Sequence, residues 1–167
     1  MEESSLPLPE ILLGAEIYFD HDIHKKPNLD KLCIGETPYL LLEFPMGTYS
    51  PYWSEWLHSL ILQGFSPIIA HVERYACAEK LLTDFAGMPV TYQLNGSLPT
   101  SLHGRKFLKK LLSKGVPCLF GSDMHNTTTR SCTLQKAFTK VNKRFPHEAD
   151  LLFDNLASAI ITTRRCI

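Results

Sequence analysis

Short apolar segments alternate with segments of helical period along most of the chain. Five runs are nearly continuous in apolar character, which is typical of strands covered on both faces. These runs occupy residues 11–19, 39–44, 67–72, 90–94 and 117–120. Because strands that alternate with helices indicate repeated β-α units, we predict an α/β fold with mainly parallel strands.

Helices are predicted between these strands from the spacing of apolar side chains. The clearest begins near Trp53, where apolar residues recur at i, i+3, i+4, i+7 and i+8, and it ends at Gln63-Gly64. Three more helices are predicted around residues 107–112, 134–141 and 147–161. No repeat or linker interrupts the pattern, so we expect a single domain over residues 1–167.

Composition narrows the class of protein. The chain has 167 residues with 17 Lys and Arg against 17 Asp and Glu, so no strong field would attract nucleic acid or an anionic membrane. Its apolar runs are shorter than the roughly 20 residues that span a bilayer, and its acidic start differs from a signal peptide. We therefore expect a cytoplasmic protein without nucleic-acid binding or membrane insertion. The five cysteines form no Cys-x-x-Cys pair, which argues against a thiolate zinc site.

Polar residues interrupt the apolar pattern at the predicted strands, mostly near their carboxyl ends, where α/β proteins build their sites. Burying such groups is costly unless they have a partner, and a metal is one candidate. The predicted metal ligands are Glu16, Glu43, His71, Asp123 and His125. This oxygen and nitrogen set suits manganese, iron, zinc or magnesium.

Each of these residues also has an ordinary structural interpretation. A lone histidine at a strand end is more often a core or loop residue, and a lone glutamate could pair with Arg74. Their coincidence at several strands favours a shared site. We interpret His21 and His24 as part of a solvated loop. We do not expect a catalytic role for His58.

Two arginines follow the candidate ligand segments at short range. Arg74 and Arg130 carry guanidinium groups suited to phosphate oxygens, although either could form a surface ion pair instead. Together with a metal they indicate phosphoester hydrolysis. A cysteinyl-phosphate route is excluded, because no cysteine begins the Cys-x5-Arg loop which that chemistry needs.

Several segments recur in this order in one known family. They are Gly-Ala-Glu at 14–16, Leu-Leu-Glu-Phe-Pro at 41–45, His-x-Glu-Arg-Tyr at 71–75, Gln-Leu-Asn-Gly-Ser-Leu at 93–98 and Ser-Asp-x-His-Asn at 122–126. The chain resembles the bacterial capsule and exopolysaccharide type of protein-tyrosine phosphatase, in the polymerase-and-histidinol-phosphatase (PHP) superfamily. The resemblance extends from about residue 12 to about residue 161.

This resemblance implies an incomplete, distorted TIM-like (β/α) barrel with a metal cluster, usually manganese. It implies that the five residues above are metal ligands, that Arg74 and Arg130 handle the phosphate, and that a metal-activated water hydrolyses phosphotyrosine. The implied partner is a phosphotyrosine protein, a bacterial tyrosine kinase that regulates polysaccharide synthesis. Homo-oligomers are also implied, since members of the family often associate.

The sequence departs from the family in one respect. Members begin with a His-x-His motif, whereas this chain has none and falls roughly 80 residues short of the usual barrel length of about 250. We therefore expect an N-terminally truncated PHP-type phosphatase domain. Two alternatives remain open: a short paralogue that binds a phosphotyrosine protein without turnover, and another metal-dependent phosphoesterase.

Overall fold

One parallel sheet organises the protein, which is described over residues 10–164 by a computed structural model. Its strands are β1 (Glu16–Tyr18), β2 (Tyr39–Glu43), β3 (Ser66–Ile69), β4 (Thr91–Asn95) and β5 (Cys118–Gly121). Their order in the sheet is the order in the chain, and all four neighbouring pairs are parallel. The predicted α/β class with mainly parallel strands is confirmed.

Five α-helices accompany the sheet. They are α1 (Trp53–Leu62), α2 (Ala78–Asp84), α3 (Leu102–Ser113), α4 (Leu134–Arg144) and α5 (Leu156–Thr162). The predicted helices near 53, 107 and 134 are confirmed as α1, α3 and α4. The predicted helix over 147–161 instead contains a π-helical segment, Leu151–Asn155, which leads into α5. Helix α2 was not predicted, because seven residues are too few to display a helical period.

The two faces of the sheet differ near β1 and β2. Ile17, Leu40 and Leu42 are buried in the core, and the residues that alternate with them are only partly covered. Glu16 pairs with Leu41, two positions before Glu43. Because side chains two apart on a strand share a face, both glutamates lie on the less covered face.

The first predicted strand is longer than the observed one. Residues 11–15 do not join the sheet; the Ala15 N–H donates instead to the Leu32 carbonyl at 3.1 Å. Ile11 and Leu13 are 80% and 82% exposed, so an apolar run marked the right region but not the limits of the strand. No helix within residues 10–164 combines the length and apolar character needed to cross a membrane.

Candidate metal centre

Three of the predicted ligands converge at one edge of the sheet. His71 Nε2 lies 3.0 Å from Glu16 Oε1 and 3.3 Å from Glu43 Oε1. One ligand atom from each of the three residues lies within 4.8 Å of the other two. Among residues 10–164, no other group of three His, Cys, Asp or Glu side chains converges in this way. We call Glu16, Glu43 and His71 the triad.

The triad fits a divalent cation. Two carboxylates beside one imidazole nitrogen concentrate negative charge, which a cation would offset. His71 is buried, and its Nδ1 has no hydrogen-bond partner, whereas Nε2 faces both carboxylates. Oxygen and imidazole donors without thiolate suit manganese, iron, zinc or magnesium. The donor set of this part of the chain therefore fits a divalent metal ion.

The backbone at His71 is strained. His71 follows β3 and has φ +32° and ψ +51°, in the left-handed region that non-glycine residues seldom adopt. A turn of 3-10 helix, Val72–Arg74, follows directly. The His71 N–H donates to Gln93 Oε1 at 2.5 Å, so a buried amide of β4 holds this conformation. Strain that the surroundings maintain is common at functional sites.

Asp123 lies after β5 in a second cluster. Its Oδ2 accepts hydrogen bonds from Arg130 Nη2 at 2.5 Å and from Asn95 Nδ2 at 3.0 Å, and lies 3.5 Å from Arg74 Nη1. Desolvation raises the pKa of Asp123, but the hydrogen bonds from Asn95 and Arg130 outweigh it, so the net shift is downward. Asp123 also has a positive φ, +48°. We call Asp123, Arg74 and Arg130 the arginine cluster.

A cavity of about 690 Å³ opens beside the arginine cluster. All three members of that cluster line it, together with Glu73 and Asn95, whereas none of the triad residues does. Both arginine side chains are 43% exposed, so their guanidinium groups are accessible. One planar guanidinium group can donate two parallel hydrogen bonds to the oxygens of a phosphate. The cavity is therefore suited to a phosphate group.

His125 belongs neither to the triad nor to the lining of this cavity. Its side chain is 51% exposed, and Nδ1 lies 3.1 Å from the Asp123 carbonyl and 3.7 Å from Asp123 Oδ1. The Asn126 Oδ1 accepts the N–H groups of Thr128, Thr129 and Arg130, which shapes the loop after it. The structure thus brings three predicted ligands together, places Asp123 against two arginines and leaves His125 exposed beside Asp123.

Three further residues were not given a role from the sequence. Gln93 and Asn95 are buried polar residues of β4, and their side chains are hydrogen-bonded to each other at 2.9 Å. Glu73 Oε1 accepts the Asn95 N–H at 3.0 Å, while its buried Oε2 has no hydrogen-bond partner. Burial raises the pKa of Glu73. The available signal was the pair of amides inside an otherwise apolar strand.

Tyr75 connects two of the elements that hold the triad. The Phe44 N–H, just after β2, donates to the Tyr75 oxygen at 2.9 Å. The Tyr75 ring lies 5.6 Å from the His71 ring, centroid to centroid. Burial raises the pKa of Tyr75, so its hydroxyl stays protonated. Tyr75 therefore ties the end of β2, which carries Glu43, to the turn that carries His71.

Comparison with protein families gives one match over nearly the whole chain. The family described as "Capsular polysaccharide synthesis, CpsB/CapC" matches residues 2–162. A relative from Streptococcus pneumoniae, tyrosine-protein phosphatase CpsB, is 30% identical over 147 residues, 81% of this chain. Tyrosine-protein phosphatase YwqE of Bacillus subtilis is 26% identical over 162 residues, 93% of this chain. The chain spans 60% and 62% of the lengths of these two relatives.

The fold also matches a solved structure. That structure comes from work on YwqE of Bacillus subtilis and CpsB of Streptococcus pneumoniae, which are described as unique metal-dependent tyrosine phosphatases. The TM-score is 0.68 at 26% identity, and the match covers 83% of this chain and 62% of the other. The expected resemblance of the fold to capsule-type phosphatases is therefore confirmed.

Proposed function

Because the chain belongs to the CpsB/CapC family of capsular polysaccharide synthesis, we propose that it is a metal-dependent hydrolase of phosphotyrosine on proteins. The observation that carries this proposal is the placement of the triad and the arginine cluster at the same edge of one parallel sheet. The triad supplies ligands for a cation, and the arginine cluster supplies donors for phosphate. The relatives named tyrosine-protein phosphatase support the choice of substrate.

Glu16, Glu43 and His71 would hold the metal, and Asp123 and His125 complete the proposed ligand set. We propose manganese, which the oxygen and nitrogen donors suit. A bound divalent cation supplies Lewis acidity and activates water in phosphate hydrolysis. The protein contributes fixed positions: His71 is held by its backbone hydrogen bond, and Glu16 and Glu43 by the register of β1 on β2.

Arg74 and Arg130 are the proposed phosphate-binding residues. Both approach Asp123, so a carboxylate orients them before substrate arrives. A phosphate group carries more negative charge than a carboxylate, and accessible guanidinium groups can bind its oxygens. In the transition state negative charge is spread over the oxygens of the phosphoryl group, and these positive groups would stabilise it there.

The proposed partner is a phosphotyrosine protein, and a bacterial tyrosine kinase is the candidate that the family suggests. The proposed compartment of the reaction is the cytoplasm. The five strands within residues 10–164 form one sheet, which supports the proposal of a single phosphatase domain. We also propose that copies of this chain associate into a homo-oligomer.

The test is hydrolysis of p-nitrophenyl phosphate and of a phosphotyrosine peptide by the full chain, with Mn²⁺ and with a chelator. We expect turnover that the chelator abolishes and that Asp123→Ala removes. His58→Ala is the control, since this exposed residue lies on α1. Turnover that persists with chelator, or in Asp123→Ala, would contradict the proposal. Binding of Mn²⁺ and phosphate without hydrolysis would favour the non-catalytic alternative.

A further inference from the structure

Strand β4 buries two amide side chains in succession on one face. All five residues of β4 are buried, and Gln93 and Asn95 are only 8% and 9% exposed. Residues two apart on a strand point to the same side, so the two amides lie next to each other. Burying an amide is costly unless hydrogen bonds replace those to water. Both amides must therefore find their partners inside the protein.

These partners form a continuous chain of hydrogen bonds. The His71 N–H donates to Gln93 Oε1 at 2.5 Å, and Gln93 Nε2 donates to Asn95 Oδ1 at 2.9 Å. Asn95 Nδ2 then donates to Asp123 Oδ2 at 3.0 Å. The chain begins in the triad and ends in the arginine cluster.

The direction of this chain is set at both ends. A backbone N–H can only donate, so Gln93 must present its oxygen to His71. An ionised carboxylate can only accept, so Asn95 must present its nitrogen to Asp123. Each amide consequently has one orientation that satisfies all of its contacts. Turning either amide by 180° would place two donors or two acceptors against each other.

The neighbouring strand leaves room for Gln93. A Cβ atom on Gly121 of β5 would lie 2.8 Å from Gln93 Nε2 and 3.0 Å from its Cγ. The side chain of Gln93 therefore fills the space above Gly121 and has little freedom to move. Asn95 itself pairs with Gly121 in the register of the sheet.

The two ends of the chain are strained residues. His71 and Asp123 are two of the three non-glycine residues between 10 and 164 that have positive φ angles. Such conformations cost about 1 to 3 kcal/mol and persist only where the surroundings impose them. The amide chain contacts the backbone of one and the carboxylate of the other.

We propose that Gln93 and Asn95 are positioning residues whose linked amides hold His71 and Asp123 in fixed relation and so couple the triad to the arginine cluster. The assignment of metal and phosphate to the two ends rests on the proposed function. The positioning itself rests on the hydrogen bonds, the packing against Gly121 and the two strained backbones.

Two substitutions separate the ends of the chain. Gln93→Met keeps the length of the side chain but can neither accept from His71 nor donate to Asn95. Asn95→Leu keeps the shape of the side chain and leaves Gln93 to accept from His71, but it removes the donor to Asp123. Gln63→Met is the matched control, because Gln63 is exposed and its amide bonds to the His24 and Ser59 carbonyls.

The experiment compares the full-length variants by hydrogen exchange of the His71 amide and by calorimetric titration with Mn²⁺ and with inorganic phosphate. In Gln93→Met we expect loss of protection at His71 and about tenfold weaker binding of Mn²⁺, the usual effect of removing a partner of a metal ligand. In Asn95→Leu we expect protection of the His71 amide to be retained and phosphate affinity to fall, because Asp123 loses the donor that positions it. Gln63→Met should match the wild type in all three.

Two results would contradict the positioning role. Wild-type protection of His71 in Gln93→Met, or equal phosphate binding by Asn95→Leu and the wild type, would overturn the inference. If Gln93→Met does not fold, the near-isosteric Asn95→Leu carries the test alone. A wild-type chain that binds neither Mn²⁺ nor phosphate would refute the proposed function, while exchange at His71 would still decide the positioning role.

Discussion

Glu16 and His71 lie 55 positions apart in the chain, yet Glu16 Oε1 and His71 Nε2 are 3.0 Å from each other. The parallel sheet explains this meeting. Strand β2 lies between β1 and β3, and the register sets Glu16 beside Leu41 and Leu41 beside Ile68. His71 follows the end of β3, and its left-handed backbone lets the side chain reach back over the sheet.

The first prediction concerns the histidine of the triad. His71→Asn should remove stabilisation by Mn²⁺, because it deletes the imidazole between two carboxylates. At 100 times Kd, a bound ligand stabilises the native state by about 2.7 kcal/mol, which raises Tm by about 5 to 10 °C in a chain of this size. Thermal unfolding with and without Mn²⁺ measures this rise. The control His58→Asn should keep it, and an equal rise in His71→Asn would refute the role of His71.

The second prediction concerns the phosphate-binding arginines. Arg130→Lys keeps the charge but loses the planar guanidinium that donates to Asp123 Oδ2 at 2.5 Å. We expect inorganic phosphate to bind about tenfold more weakly. The lysine ammonium is a single point charge and cannot donate the two parallel hydrogen bonds of a guanidinium group. Calorimetric titration measures the affinity. Arg144→Lys, at the exposed end of α4, should bind phosphate as the wild type does, and an unchanged affinity in Arg130→Lys would exclude this contact.

The limits of sequence reasoning are visible at individual residues. Glu43 and His71 could be assigned to one edge of the sheet, because apolar runs predict parallel strands and the carboxyl ends of parallel strands align. The contacts of Asp123 with Asn95 and Arg130 could not be predicted, since they depend on how strand β4 and the loop after β5 come together. The left-handed backbones of His71 and Asp123 could not be predicted from residue type, because His and Asp adopt positive φ more often than most residues but still seldom.

The third prediction compares two glycines whose missing Cβ atoms matter differently. A Cβ on Gly104 would lie 2.0 Å from the Leu98 carbonyl oxygen, which is backbone and cannot move easily, whereas one on Gly121 would meet the Gln93 side chain at 2.8 Å. We expect Gly121→Ala to lower the free energy of unfolding by about 1 to 3 kcal/mol and Gly104→Ala to lower it more. Urea denaturation measures both. Ser113→Ala, at an exposed position of α3, should change stability by less than about 0.5 kcal/mol, and the reverse order of the glycines would contradict this packing.

The fourth prediction concerns thiol reactivity. Burial raises the pKa of Cys118 to about 12, whereas Cys132 is exposed. The thiolate is the reactive form, so at pH 8 only about one Cys118 in ten thousand is ionised. Iodoacetamide should therefore modify Cys132 in the native protein and leave Cys118 intact, which peptide mass spectrometry can follow. Both should react in urea, and equal rates in the native state would show that Cys118 is accessible.

The last prediction gives a pH dependence away from the site. Tyr49 Oη donates to Asp84 Oδ2 at 2.6 Å, and this hydrogen bond, together with one from Lys80, holds the pKa of Asp84 below its usual range. A carboxyl whose pKa is lower in the folded state adds stability above its unfolded pKa of about 3.9, and this stability disappears as the pH falls through the folded value. Tyr49→Phe should therefore be less stable than the wild type by about 1 kcal/mol at pH 7.

That difference should become smaller as the pH falls well below 3.9, because protonated Asp84 attracts the hydroxyl less strongly. Urea denaturation at a series of pH values measures it. Tyr52→Phe is the matched control, since Tyr52 is also exposed and its ring stacks on Trp56. It should show the same stability as the wild type at every pH. A Tyr49→Phe difference that stays constant down to low pH would mean that the tyrosine stabilises the fold through ring packing on Trp53 and not through the carboxylate.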